Sequence, residues 1–90
     1  MITRTVKVVN PSGLHIRPAG VFCQKAMDFE TTRINFHYGK NNEASAKSIL
    51  SILGAGIRQN DEIELICDGP DEEQAMDELC SLFEDGFGEI

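Results

Sequence analysis

Ninety residues, 41% of them hydrophobic and only three of them proline, describe one globular domain spanning residues 1–90, at the small end of what folds on its own core. Fifteen acidic against eight basic residues give a net charge of −7, which argues against a nucleic-acid partner, because such binding needs a basic face to displace counterions. No run approaches the roughly 20 apolar residues of a membrane span and no apolar leader opens the chain, so a cytoplasmic protein without direct membrane insertion is expected.

The first segment, "ITRTVKVV", alternates and places Ile2, Val6 and Val8 on one side, the signature of a half-buried strand. "NPSG" stops it with turn residues. From Ile16 the period changes: Ala19, Phe22, Cys23 and Ala26 recur at three and four, a helical stripe. Pro18 belongs in the first turn of that helix, where its missing N–H costs little, so the helix starts at His15 or Ile16.

"TTRINFHYGK" alternates again with Ile34, Phe36 and Tyr38 inward, and "GKN" makes a hairpin turn into a short strand from Asn42 to Ala44. Ser45 or Ser48 can cap a short helix carrying Ile49, Ile52 and Leu53, which Gly54 and Gly56 end. Ile49, Leu50, Ile52 and Leu53 exceed what one side of that helix can bury, so Ile49 or Leu50 is expected on the surface as part of a docking patch. "DEIELICDG" is a fourth strand with Ile63, Leu65 and Cys67 inward. Asp71 with Gln74 reads as a capping box for a last helix, packed through Ala75, Leu79, Leu82 and Phe83.

The order β-α-β-β-α-β-α, with one apolar face per strand, predicts an α+β two-layer sandwich with the helices on one face of the sheet. The opposite face meets water through Thr3, Thr5, Lys7, Arg33, Asn35 and His37, and His37 reads as a plain surface residue. Cys23, Cys67 and Cys80 are odd in number and form no C-x-x-C pair, so neither a disulfide framework nor a metal site is expected. The basic residues lie early and the acidic ones late, which would leave a positive-leaning face around Arg17.

His15 stands out. It sits at a helix start between a turn and Arg17, and the unpaired N–H groups there, with the guanidinium, favour an anion beside the imidazole. A neutral ring nitrogen next to an anion cradle suits acceptance of a phosphoryl group, where the protein contributes placement and electrostatics. No glycine-rich phosphate loop is present, and no second histidine or paired carboxylate stands near His15 in sequence. A carrier, rather than an enzyme acting alone on a small substrate, needs no more than this.

"SGLHIRPAG" resembles the phosphorylation site of the histidine-containing phosphocarrier proteins (HPr) of the phosphoenolpyruvate-dependent sugar phosphotransferase system. "KSILSILGAGIRQNDEIELICDG" resembles the family's serine-bearing helix and the strand after it, and the acidic last helix extends the likeness to essentially the whole chain. The resemblance implies an open-faced β-sandwich, four antiparallel strands under three helices. It implies that His15 accepts phosphate through Nδ1, that Arg17 steadies it, and that Pro18 fixes the helix start and lies with Ile49 and Leu50 in the docking surface. Ser48 corresponds to the serine that a dedicated kinase phosphorylates in Gram-positive members, although a serine before a helix is ordinarily only an N-cap. Enzyme I would be the donor and Enzyme IIA domains the recipients, with no cofactor. A serine kinase/phosphatase and a catabolite-control transcription regulator are the further partners this implies.

The chain departs from the family pattern in three ways: Ile16 in place of a small residue, a longer "GKNNEASAKS" segment, and Gln24, Met27 and Leu50 where basic or smaller side chains are usual. An alternative reading is an HPr-like regulatory protein acting mainly through Ser48 on a transcription regulator, in carbon catabolite regulation rather than sugar transport. The histidine at position 15 favours the phosphocarrier.

Overall fold

The computed structural model describes residues 1–89. Four strands, β1 (Ile2–Lys7), β2 (Arg33–Tyr38), β3 (Asn42–Ser45) and β4 (Glu62–Asp68), form one sheet in the order β1-β4-β2-β3, every neighbouring pair antiparallel. Three helices accompany it: α1 (Ile16–Met27), α2 (Ile49–Gly54) and α3 (Glu72–Glu84). This is the α+β two-layer sandwich that the alternating strands and striped helices predict, in the open-faced antiparallel form that the family resemblance implies.

The register follows from which side chains must be inside. Ile34 pairs with Cys67 and Phe36 with Leu65 across β2 and β4, so four buried side chains share the helix-facing surface of the sheet. Val6 opposite Ile63 extends that surface to β1. Above it, Phe22 of α1 lies 5.1 Å edge-on from Phe83 of α3 and 5.7 Å from Phe36, so one aromatic cluster ties both long helices to the sheet. Pairs of this geometry contribute about 0.5–1.5 kcal/mol beyond the area they bury.

Two local expectations change. The capping box at Asp71 and Gln74 does not form: Asp71 makes no side-chain cap, and its N–H donates instead to Thr32 Oγ1, 39 residues away. The Glu72 carboxylate reaches back to accept from the Gly69 N–H at 3.1 Å, ahead of the helix, while Gln74 turns along the helix to Glu78. Of the two candidate caps for α2, Ser48 is the one used: its hydroxyl accepts from the Ser51 N–H at 3.2 Å. Beyond α3 the chain makes a tight turn, Gly86–Gly88, that the hydrophobic periodicity does not signal.

Candidate functional site

The segment between β1 and α1 is built to hold His15 still. The buried Asn10 closes it, its amide donating to the Gly13 carbonyl at 2.7 Å while the Gly13 N–H donates back to the Asn10 carbonyl at 3.1 Å. Gly13 has φ +64°, and a Cβ there would lie 2.5 Å from the Ile57 carbonyl oxygen, so only glycine fits. That close approach is used: the Leu14 N–H donates to the same oxygen at 3.0 Å, and the Leu14 side chain is buried. His15 then falls at the N-cap of α1, extended at φ −77°, ψ −168°, with its side chain 42% exposed.

The helix start is left open for an anion. His15 makes no side-chain cap, the first turn contains no acidic residue, and Ala19 is the first residue whose N–H returns to the His15 carbonyl. Arg17 is exposed and has no ion pair or hydrogen bond among the described residues. Of the other early cations, Lys25 is taken by Glu78 at 3.1 Å and Asp28 at 3.9 Å, and Arg4 approaches Asp77 at 3.9 Å. Of the positive-leaning face expected around Arg17, Lys25 and Arg4 are thus engaged by carboxylates, while Arg17 has no such partner among the described residues.

The sequence gives no hint of the third member of this site. Glu89, 74 residues from His15, places Oε2 3.1 Å from His15 Nε2. Its other oxygen, Oε1, accepts from the Ser12 hydroxyl at 2.7 Å and from the Asn10 side-chain amide at 3.0 Å. These hydrogen bonds, Ser12 first, then Asn10, then His15, hold the Glu89 carboxyl down at about 2, so it is ionised at neutral pH. Nδ1 of His15 has no hydrogen-bond partner among the described residues.

What brings Glu89 there is the turn after α3. Gly86, Phe87 and Gly88 all have left-handed backbone, at φ 59°, 55° and 75°. For Phe87 that conformation costs about 1–2 kcal/mol. Its ring offsets the cost by stacking edge-on against Phe83 at 4.9 Å.

Around the histidine lies an apolar face. Ile16 (70% exposed), Val21 and Met27 on α1 continue into Ile49 and Leu50 (79% exposed) on α2, so both Ile49 and Leu50 are presented rather than one of them. Pro18 is different: it is buried, which corrects its placing in the docking surface and leaves it the role of setting the helix start. A shallow depression of about 500 Å³ beside Arg17 is lined by Ile16, Gly20, Val21 and Gln24. Among the described residues no cluster of histidine, cysteine or acidic side chains could hold a metal ion, and no helix is long and apolar enough to cross a membrane.

His37 lies on the surface as expected, held there by two carboxylates. It lies between Glu64 of β4 and Glu43 of β3 in the strand register, with Nδ1 3.1 Å and Nε2 3.0 Å from their carboxylates. Both ring nitrogens are occupied. That arrangement, on the face of the sheet away from the helices, leaves His37 without a free nitrogen, in contrast to His15.

Residues 2–85 match the family described as "PTS HPr component phosphorylation site". The chain is 42% identical to the phosphocarrier protein HPr of Chlamydia muridarum over 90% of its own length and 76% of the relative's. It is 33% identical to that of Treponema pallidum over 99% of both. The solved structure of HPr-C-His from Thermoanaerobacter tengcongensis superposes with a TM-score of 0.94 at 38% identity, covering 100% of this chain and 99% of that one.

Proposed function

Since the chain belongs to the HPr family of phosphocarrier proteins, we propose that it takes a phosphoryl group from Enzyme I onto His15 Nδ1 and passes it to Enzyme IIA domains in phosphoenolpyruvate-dependent sugar uptake, in the cytoplasm. The observation that carries this reading is the state of His15. It is exposed at an uncapped helix start, and one ring nitrogen is held; among the described residues the other has no partner and Arg17, two residues on, no ion pair. An incoming phosphoryl group meets backbone N–H dipoles and a guanidinium, which stabilise the negative charge it carries throughout transfer. The exposed apolar residues of α1 and α2 give the docking surface, with Ile49 and Leu50 as its outer rim.

Incubation with phosphoenolpyruvate and Enzyme I should add one phosphoryl group by intact mass. The adduct should be acid-labile and alkali-stable, as a phosphoramidate is. His15→Ala should abolish labelling and His37→Ala should preserve it. Label that persists in His15→Ala removes the reading.

A second reading rests on Ser48. Its hydroxyl is half-buried at the α2 start, next to exposed Ile49 and Leu50, so a phosphate there would change the docking surface without entering the core. It supports regulation of the carrier by a serine kinase/phosphatase, and with it contact to a catabolite-control transcription regulator.

A further inference from the structure

The contact between Glu89 and His15 does more than crowd the site. A neutral imidazole carries its proton on either nitrogen, and only the unprotonated one can attack phosphorus. A carboxylate accepts hydrogen bonds and donates none, so Oε2 at 3.1 Å from Nε2 selects the form with hydrogen on Nε2. The lone pair is then on Nδ1, the nitrogen with no partner among the described residues.

We propose that Glu89 is a positioning residue for phosphoryl transfer: it holds the proton of His15 on Nε2, aims Nδ1 outward, and stabilises the charge that the ring acquires. This rests on His15 being the phosphoryl acceptor and adds the group that prepares it. In the step itself, the Nδ1 lone pair forms the N–P bond as the bond from phosphorus to the donor breaks, the electron pair leaving with the donor. No proton moves. The ring becomes positive across both nitrogens, and Oε2, already in place, balances that charge through the Nε2–H. In onward transfer the N–P pair returns to Nδ1.

The wiring of Glu89 sets its two simplest variants apart. Oε1 is held by two donors, the Ser12 hydroxyl and the Asn10 amide. In Glu89→Gln the amide carbonyl therefore has to stay with those donors, which turns the NH₂ group toward His15. That NH₂ donates to Nε2, forces the proton onto Nδ1 and blocks the attacking nitrogen. In Glu89→Ala the ring is merely released, and both proton positions are populated. The nearly isosteric change should be the more damaging one, as for an aspartate-to-asparagine change behind a catalytic histidine.

Nitrogen NMR of histidine-labelled full-length protein reads the proton position without any transfer partner, and transfer from Enzyme I is measured alongside it. In the parent protein, Nδ1 of His15 should show the unprotonated signature and Nε2 the protonated one. Glu89→Ala should give mixed signatures and slower transfer. Glu89→Gln should exchange the two signatures and slow transfer about tenfold or more. Amide spectra of both variants should keep the dispersion of the parent, since Glu89 lies outside the core. A parent protein with Nδ1 protonated, or a Gln variant with parental signatures and rate, overturns the proposal. Absence of labelling in the parent, with the tautomers as expected, would instead count against the phosphocarrier reading alone.

Discussion

Arg17 illustrates how far a single side chain can be assigned from what it does not touch. The described residues leave this guanidinium, a rigid fork of five N–H donors, without an ion pair, and it stands two positions from His15. Lys25, eight positions along the same helix, is held by Glu78 and Asp28. Arg17 should therefore matter for transfer and little for folding. Arg17→Lys keeps the charge and loses the two-pronged geometry. Losing one charge-assisted hydrogen bond of about 1.5–3 kcal/mol in the transition state slows transfer about tenfold or more. Rapid-quench transfer kinetics with a parallel thermal melt test this, and a rate within twofold of the parent would remove the role. At this scale the motif around His15 was legible because every member is local: a turn, a nucleophile, a cation and a proline within one short run. Glu89 was illegible for the opposite reason. Its partners are Asn10, Ser12 and His15, and nothing in the spacing of "DGFGEI" announces that three left-handed residues will fold it back onto them.

Elements were readable where a pattern repeats along them and misread where a distant group intervenes. The alternation of β2 and β4 and the stripe of α1 are each enforced by one buried face, so local periodicity carried them. The capping box at the start of α3 failed because the Asp71 N–H is claimed by Thr32 and the Gln74 side chain by Glu78. His37 is exposed as its place in the alternation of β2 predicts, but its carboxylate partners are cross-strand neighbours, known only once the register is known. The three strands carry a testable pH signature. Hydrogen bonds from His37 to Glu43, then to Glu64, raise the histidine above its ordinary 6.5. Asn35 first, then His37, with a smaller contribution from Arg33, lowers Glu43 below its ordinary 4.5. A raised histidine stabilises fully below 6.5 and loses that contribution as pH rises through its folded value. A lowered carboxylate stabilises above 4.5 and loses its contribution as pH falls through its own. The stability difference between the parent and His37→Gln should thus be greatest between about pH 4.5 and 6.5 and shrink on either side. Urea melts across that range check it, and a difference that does not vary with pH would discount the charge coupling.

Over the whole molecule, the charge is segregated in a way that bears on Ser48. The net charge is −7, but α1 and α2 contain no acidic residue, and the acidic helix α3 packs against β1, β4 and α1 rather than beside the apolar rim of α2. The α1–α2 face is therefore an apolar, weakly cationic surface on an acidic protein. A phosphate on Ser48 would bring about −1.5 to −2 of charge to the edge of that surface, beside Ile49 and Leu50. Partners that bury those side chains would then have to desolvate an anion or be repelled by it. The fold should not suffer, because Ser48 already presents an oxygen to the Ser51 N–H and a phosphate keeps acceptors at that position. Removing the cap is a separate matter: Ser48→Ala should cost about 1 kcal/mol, or about 4–8 °C in melting temperature for a domain of this size. Phosphoserine at position 48 should slow transfer from Enzyme I while leaving the melting temperature equal or slightly raised, and Ser48→Asp, a weaker mimic, should do so less. Ser48→Ala should lower the melting temperature and leave transfer near the parental rate. The two responses differ in both observables, so they separate a docking switch from a structural cap. Unchanged transfer with true phosphoserine would leave Ser48 as the N-cap of α2 alone.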